Sequence, residues 1–363
     1  MRDVIYWSLV QKIWGYKGNK ILSKILGKIN GNDFWQMSPR EIKKNFPEIS
    51  QEMANELMLG RERINIRDEY MNIAKHNVEI ITIYDNLYPK RLKNIYDPPP
   101  LLYVKGHLKE KNLAIAIVGA RKASPYGKKV AFDLACQLSN QGVQIISGLA
   151  RGIDACSHEG ALQGIGGTIA VLGSSVDIVY PRENKRLFNQ ILNAGNSAVI
   201  SEFPLGTQPL RFHFPMRNRI ISGLADGIVV IEARENSGSL ITTEFGLEQG
   251  KEIFAVPGPI NTPLYKGSHR LIKDGAKLID NVNDIFEEFG QLSLFKTRES
   301  NIEIKLTDTE YQILKNLGTH PSSIEDILIN TKLSIKTVLS TLSVLEIKGL
   351  VKQVAGRKFI SLN

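Results

Sequence analysis

LAIAIVGARKASPYGKKVAFDLACQLSNQGVQIIS, residues 113–147, is the stretch on which the fold turns. Two short apolar runs, 113–118 and 143–147, bracket a segment long enough for one crossover helix. Both runs are nearly continuous in apolar and β-branched residues, without the alternation of a half-exposed strand, as expected for strands buried on both faces. The pattern recurs at 168–172 (TIAVL), 197–201 (SAVIS), 227–232 (GIVVIE) and 252–256 (EIFAV). Helix-length segments separate the runs. Repeated βα units predict an α/β protein with a doubly wound parallel sheet and a ligand crevice at the carboxyl ends of its strands.

Outward from this centre the pattern changes. Residues 1–75 read as a small helical module: Ile21, Leu22, Ile25, Leu26 and Ile29 follow one helix face, and Ser38-Pro39-Arg40-Glu41 opens a further helix with a capping box. Pro98-Pro99-Pro100 marks a stiff extended connector. Residues 76–290 hold the sheet, and 291–302 read as a polar linker. In 303–363, helices at Thr307–Leu317, Ser323–Asn330 and Ser334–Lys348, followed by a hairpin around Ala355-Gly356, outline a winged helix. Its candidate recognition helix carries only Lys336 and Lys348, which favours protein contacts over duplex DNA.

The chain has 363 residues, 42% hydrophobic and 23% charged, which is the composition of a multi-domain globular protein. No apolar run approaches the ~20 residues of a membrane span. Cys136 and Cys156 lack metal-ligand spacing, and the N-terminus does not read as a signal peptide; a soluble protein of the reducing cytosol is expected. The net charge of +9 invites a nucleic-acid hypothesis, yet it is spread as +4 over 1–75, +3 over 76–302 and +2 over 303–363, with no polybasic arm.

Small residues end each strand where a helix should start: Gly119-Ala120-Arg121, Gly148-Leu149-Ala150-Arg151-Gly152, Gly173-Ser174-Ser175 and Ser237-Gly238-Ser239. Several such turns at one sheet edge make an anion pocket, with backbone N–H groups at 119, 148 and 238 as donors. The first turn lacks GxGxxG and no GxxxxGK[ST] occurs, so neither a dinucleotide nor an NTP-hydrolysing site is indicated, and no cofactor is expected. Arg211-Phe212-His213-Phe214-Pro215-Met216-Arg217-Asn218-Arg219 mixes cations and rings in the manner of single-strand binders, and Asn184-Lys185-Arg186-Leu187-Phe188 repeats the theme. The alternative for 211–219 is a helix start with arginines at a solvated rim and phenylalanines in the core. No catalytic constellation or metal site stands out; Asp154 and His158 could share a structural hydrogen bond, and nothing marks Glu202 and Glu232 as a catalytic pair.

The sequence resembles the DNA-processing protein A (DprA, also Smf) family of bacterial proteins. The resemblance is carried by Leu87-Tyr88-Pro89-x-x-Leu92, Pro100-Leu101-Leu102-Tyr103-x-x-Gly106, IVGARKASPYG (117–127), SGLARGID (147–154), AVLGSSVDIVYPREN (170–184), SEFPLGTQP (201–209), HFPMRNRIISGLADGIVVIEA (213–233), SGSLIT (237–242) and FAVPG (254–258). It implies an extended Rossmann-like domain flanked by a SAM-like helical module and a winged helix. It also implies a homodimer that binds single-stranded DNA, protects it, and loads the RecA recombinase during natural transformation. The family's pocket residues fall on Arg121 and Lys185, with Phe188 as the candidate base-stacking ring. Alanine stands at 120 where the family usually has serine. The family's self-association surface falls around His269, Leu271, Ile272 and Leu278. Arg121, Lys185 and Phe188, together with Gly119, Gly148, Phe214, Arg217, Asn218, Arg219, Ser237, Gly238 and Ser239, form the expected DNA-binding set, in which Arg121, Lys185, Arg217 and Arg219 hold successive phosphates.

Two rival readings remain. The fold also resembles nucleotide phosphoribohydrolases, whose PGGxGTxxE hallmark is only partly echoed by the stretch from Ser237 to Glu244. Alternatively, the pocket is idle and the terminal modules bind proteins.

Overall fold

The computed structural model describes residues 2–290, 307–317, 322–331, 333–347, 350–354 and 358–361, and its contacts divide the chain into two units, Met1–Leu294 and Phe295–Asn363. The first is built on nine strands: β1 (Glu79–Thr82), β2 (Leu101–Gly106), β3 (Ala114–Val118), β4 (Gln144–Ser147), β5 (Thr168–Val171), β6 (Ala198–Ser201), β7 (Gly227–Val230), β8 (Glu252–Ala255) and β9 (Lys277–Leu278). Their order is β1-β2-β6-β5-β4-β3-β7-β8-β9. From β6 to β9 every pair is parallel, as the apolar runs predict; β2 is antiparallel to both its neighbours. The sheet is therefore mostly parallel, with one reversed strand near an edge. β1, β2 and β9 are additions to the six strands read from sequence. β1 and β9 are too short for a clear pattern, and β2 follows directly on the proline connector.

The crossover helix Pro125–Asn140 starts where its sequence directs. The Ser124 hydroxyl accepts the Gly127 N–H at 3.0 Å, and Pro125 occupies the first turn. Glu232, just past β7, is buried beneath it and accepts the Ser124 N–H at 2.9 Å and the Tyr265 hydroxyl at 2.8 Å. A Cβ at Gly127 would come within 2.4 Å of the Glu232 carboxyl carbon, so a side chain there would have to displace the carboxylate from its bonds to Ser124 and Tyr265. The capping box at Ser38–Glu41 is present. The helix at Asn19–Ile25 ends sooner than its apolar spacing suggests, since Leu26 is extended and Gly27 has φ +81°.

Both sheet faces are covered. On one, Trp7, Leu22, Phe34 and Leu57 of the N-terminal helices share a core with Tyr103, Leu172, Leu187 and Val199. On the other, Leu92, Ile95 and the helix His213–Leu224 pack on Leu102, Ala116 and Ile228. The boundary read at 75/76 is thus no break in packing. Polar contacts cross it as well: the Tyr103 hydroxyl donates to Gln11 Oε1 at 2.9 Å, and Gln11 Nε2 donates to the Glu202 carbonyl at 3.2 Å. The helices are short, and they bury their apolar faces against one another and against the sheet in one continuous core.

The second unit has helices Asp308–Asn316, Ile324–Thr331 and Ile335–Ile347 with strands β10 (Ser322–Ser323), β11 (Val351–Val354) and β12 (Lys358–Ser361), ordered β10-β12-β11. Ile313, Ile327, Val338, Leu342 and Phe359 form its core. This is the expected winged helix, with a third strand. The linker 291–302, Lys348 and the turn at Ala355-Gly356 lie outside the described residues. Among the described residues, no helix is long and apolar enough to cross a membrane.

Phe34 is fully buried, with its ring centroid 5.2 Å from Trp7 and 5.6 Å from Phe46. Phe34→Ala is expected to destabilise the first unit by about 3–5 kcal/mol. Because all three tryptophans lie in the N-terminal helices, urea unfolding followed by tryptophan fluorescence should shift together with the main far-ultraviolet transition. A fluorescence transition moving alone would show an independent module.

Candidate nucleic-acid interface

A cavity of about 540 Å³ opens at the carboxyl ends of β3, β4 and β7. It collects Gly119 and Arg121 from the turn after β3, Phe214, Arg217 and Asn218 from the helix His213–Leu224, and Ser237, Gly238 and Ser239 from the start of the helix Gly238–Glu248. Eight of the expected binding residues are therefore assembled. Asp154, Tyr180, Arg211 and Thr242 also line it. Arg211 and Tyr180 stand inside quoted motifs, but only the folded chain shows that they turn inward. Arg121 is exposed, its Cζ 5.3 Å from the Phe214 ring centroid, and Tyr180 lies 5.5 Å from that ring on a tilted plane. A cation on an aromatic platform thus faces the amino end of a helix, a pairing suited to phosphate flanked by a base.

Arg217 plays a different part from Arg121. Its guanidinium is buried, and Nη1 donates to the Gly148 carbonyl at 2.7 Å and to the Val171 carbonyl. A Cβ at Gly148 would lie 2.1 Å from Nη2, so the glycine makes room for this side chain. The Gly148 N–H, expected as a ligand donor, instead points to Asp154 Oδ2 at 3.2 Å. At Gly119 the pressure is packing too, since a Cβ would meet Ile153 Cγ1 at 2.7 Å. Gly152, with φ +74°, brings the loop after β4 against the Ala120 and Arg121 carbonyls, and Leu149 beside it holds φ +54°. Burial pushes the Arg217 pKa down to about 10, with Asp154 opposing the shift, so it stays cationic at neutral pH. Burial also raises the Asp154 carboxyl, against the pull of Arg217 and two backbone amides.

Several expectations are corrected. Arg219 faces away from the cavity: it is buried in an ion pair with Glu202 at 2.6 Å, and Asp97 stands 3.4 Å from its Nε. Alternate helix positions cannot share one face, so Arg217 and Arg219 separate. Phe188 is 4% exposed in the core beneath the N-terminal helices, with Lys105 Nζ 5.8 Å from its ring, and cannot stack on a base; the ring that lines the cavity is Phe214. Lys185 is exposed at the start of the helix Lys185–Asn193 and does not line the cavity. Glu202 and Glu232 are both buried structural carboxylates. Glu244, the would-be hydrolase acid, is exposed and off the cavity wall. Among the described residues, no cluster of three or more His, Cys, Asp or Glu side chains could hold a metal.

His158 does not bond Asp154. Its Nδ1 lies 2.7 Å from Thr168 Oγ1, which itself donates to the Ile145 carbonyl, so Nδ1 carries the proton. Nε2 accepts the Leu149 N–H at 3.3 Å. Asp154 and His158 thus brace the same loop separately. Burial, with the Arg217 charge, lowers the His158 pKa to about 3. The unfolded chain takes up this proton near pH 6.5 and the folded chain does not, so stability falls as pH drops from about 6.5 toward 3, by up to ~1.4 kcal/mol per unit. NMR of the ring should show no titration between pH 8 and 5, and urea unfolding should steepen its pH dependence below 6.

Residues 79–290 match the family DNA recombination-mediator protein A, and residues 299–357 match the DprA winged helix domain. DNA processing protein DprA of Streptococcus pneumoniae is 45% identical over 225 residues, 62% of this chain and 79% of that protein. Protein Smf of Escherichia coli is 36% identical over 309 residues, 82% of this chain and 81% of that protein. The solved structure of the S. pneumoniae protein aligns with TM-score 0.62 at 36% identity, covering 78% of this chain and 97% of that one. DNA processing protein A from Helicobacter pylori, whose structure is described for its single-stranded DNA binding mode, aligns with TM-score 0.53 at 28% identity, covering 59% and 96%. With the sheet, the pocket and the tail all accounted for by one family, the chain belongs to the DNA-processing protein A (DprA/Smf) family.

Proposed function

We propose that this protein binds single-stranded DNA at the cavity on the carboxyl edge of its sheet. The observation that carries the reading is Arg121: an exposed guanidinium, without an ion-pair partner among the described residues, held over the Phe214 ring beside Tyr180 and facing the helix that starts at Gly238. A phosphate on Arg121 and the serine-rich helix start, with an unstacked base near the Tyr180–Phe214 pair, uses the cation, the ring pair and the helix start of the site. The relative from H. pylori, described for single-stranded DNA binding, supports it. Lys185 then serves at the rim. The finer role we propose is protection of incoming strands and loading of RecA during transformation, without a cofactor and in the cytoplasm.

We also propose a homodimer through the β9 edge. Leu278 is 47% exposed on an unpaired sheet edge, Ile272 and Leu271 are half-buried on the preceding helix, and His269 bonds the Gly258 carbonyl. On the winged helix, exposed Ile335 and Leu339, one turn apart, favour a protein partner over duplex DNA.

Arg121→Ala is expected to weaken oligonucleotide binding about tenfold or more, the loss of one charge-assisted contact, and to reduce the salt slope by about 0.7. Lys185→Ala should lower the slope with a smaller affinity loss. Phe188→Ala should lower thermal stability and leave the slope unchanged. Anisotropy titrations across salt concentrations check all three; unchanged binding in folded Arg121→Ala and Lys185→Ala proteins would overturn the site and leave the interaction-scaffold reading.

A further inference from the structure

The carboxyl edge of the sheet continues well beyond the pocket. Since only β2 is reversed, β1 runs with the central strands, and the connector 83–100 emerges on the same edge as the turns at Gly119 and Gly148. In the sheet order this connector stands four strands from the pocket, about 20 Å at the usual inter-strand spacing. The pocket helix bridges the gap, with Arg217 and Asn218 on the cavity and Arg219 reaching Asp97 of the connector.

Over this stretch the surface carries rings and lysines. Tyr96 is 95% exposed, Tyr84 56% and Tyr16 40%. The Tyr84 ring rests against Gly27, where a Cβ would lie 3.2 Å away, and Lys93 Nζ stands 5.9 Å from its centroid. The Tyr16 hydroxyl donates to Asp97 at 3.3 Å, which ties the N-terminal helices to the same strip. Lys17, Lys20 and Lys24 are exposed and have no carboxylate partner among the described residues. The local acids are otherwise engaged: Asp97 with Arg219 and Tyr16, Asp85 as acceptor of the Thr82 N–H at 2.6 Å, and Glu48 at 3.7 Å from Lys28. Unpaired cations repel one another unless an anion joins them, and exposed tyrosine faces offer stacking that a duplex, with its bases hidden, cannot use.

We propose that this basic, tyrosine-bearing strip is a second binding segment, along which a single strand leaving the pocket continues over the N-terminal helices. The inference rests on the pocket's holding single-stranded DNA, and deepens it by giving the strand a path. Tyr84 and Tyr96 stack bases, and Lys17, Lys20, Lys24 and Lys93 follow the backbone.

The test uses oligothymidylates of about 4 and about 16 nucleotides, the ends of the usual site-size range, with the full-length protein and anisotropy read across salt. In Tyr84→Ala/Tyr96→Ala the long probe should bind about tenfold or more weakly, from two lost stacking contacts, while the short probe keeps its affinity. Tyr84→Phe/Tyr96→Phe, which keeps the rings, should restore the long probe. Lys17→Ala/Lys20→Ala/Lys24→Ala should lower the long probe's salt slope by about 0.7 per lysine engaged. An unchanged long-probe affinity in the alanine pair, or a phenylalanine pair as weak as the alanine pair, overturns the strip. If Arg121→Ala spares both probes while the strip variants weaken the long one, the pocket reading fails separately.

Discussion

The geometry of the binding edge depends on one buried cation. Arg217 lies across the ends of β4 and β5, bonded to the carbonyls of Gly148 and Val171 and close enough that a side chain at residue 148 would dislodge it. A guanidinium in such a place costs several kcal/mol of desolvation, and holds only because its donors meet carbonyls and Asp154 supplies an opposing charge. Through it the helix His213–Leu224 is locked to the loop after β4, and Phe214, one turn earlier, is presented to the cavity. The same loop is held from below by His158 and from the side by Asn184, whose amide donates to the Leu149 carbonyl at 2.9 Å. A backbone bent through a left-handed leucine and a left-handed glycine needs that many supports.

A second buried pair, Arg219 with Glu202, does for the other side of that helix what Arg217 does for the pocket. Glu202 sits where the two faces of the sheet meet at its carboxyl edge. Asn19 and the main chain's partner Gln11 approach from one face and Arg219 from the other. Burial lifts the Glu202 carboxyl to about 7 against the pull of Arg219. The N-terminal helices are therefore part of the edge that carries the site, joined to it by apolar core and by hydrogen bonds, so their surface is available as an extension of the site.

Much of this was legible in the chain. Strands buried on both faces leave unbroken apolar runs, and six were read on that basis; the glycine turns placed Gly119, Arg121, Ser237, Gly238 and Ser239 at one edge. The rest was not legible, for one physical reason. In 211–219 and 184–188 the residue types suit nucleic acid, but helical rotation decides which side chain meets solvent. Arg217 and Arg219, two apart, point to different partners, and Phe188 points into the core while Phe214 points out. The space that a side chain at Gly148 would need is filled by Arg217, 69 residues away, which no local pattern reveals.

Sequence by itself determined what local chemistry and periodicity encode: the parallel core strands, the helix starts at Ser38 and Ser124, the winged-helix outline, and the phosphate-suited turn at Arg121. Tertiary structure alone decided which arginines open onto the cavity and which are girders, where β2 reverses, and that residues 1–75 share the sheet's core. The physical reason is that burial and pairing are long-range quantities. A guanidinium's free energy depends on whether a carbonyl, a carboxylate or water surrounds it, and those neighbours are brought by the fold from distant parts of the chain.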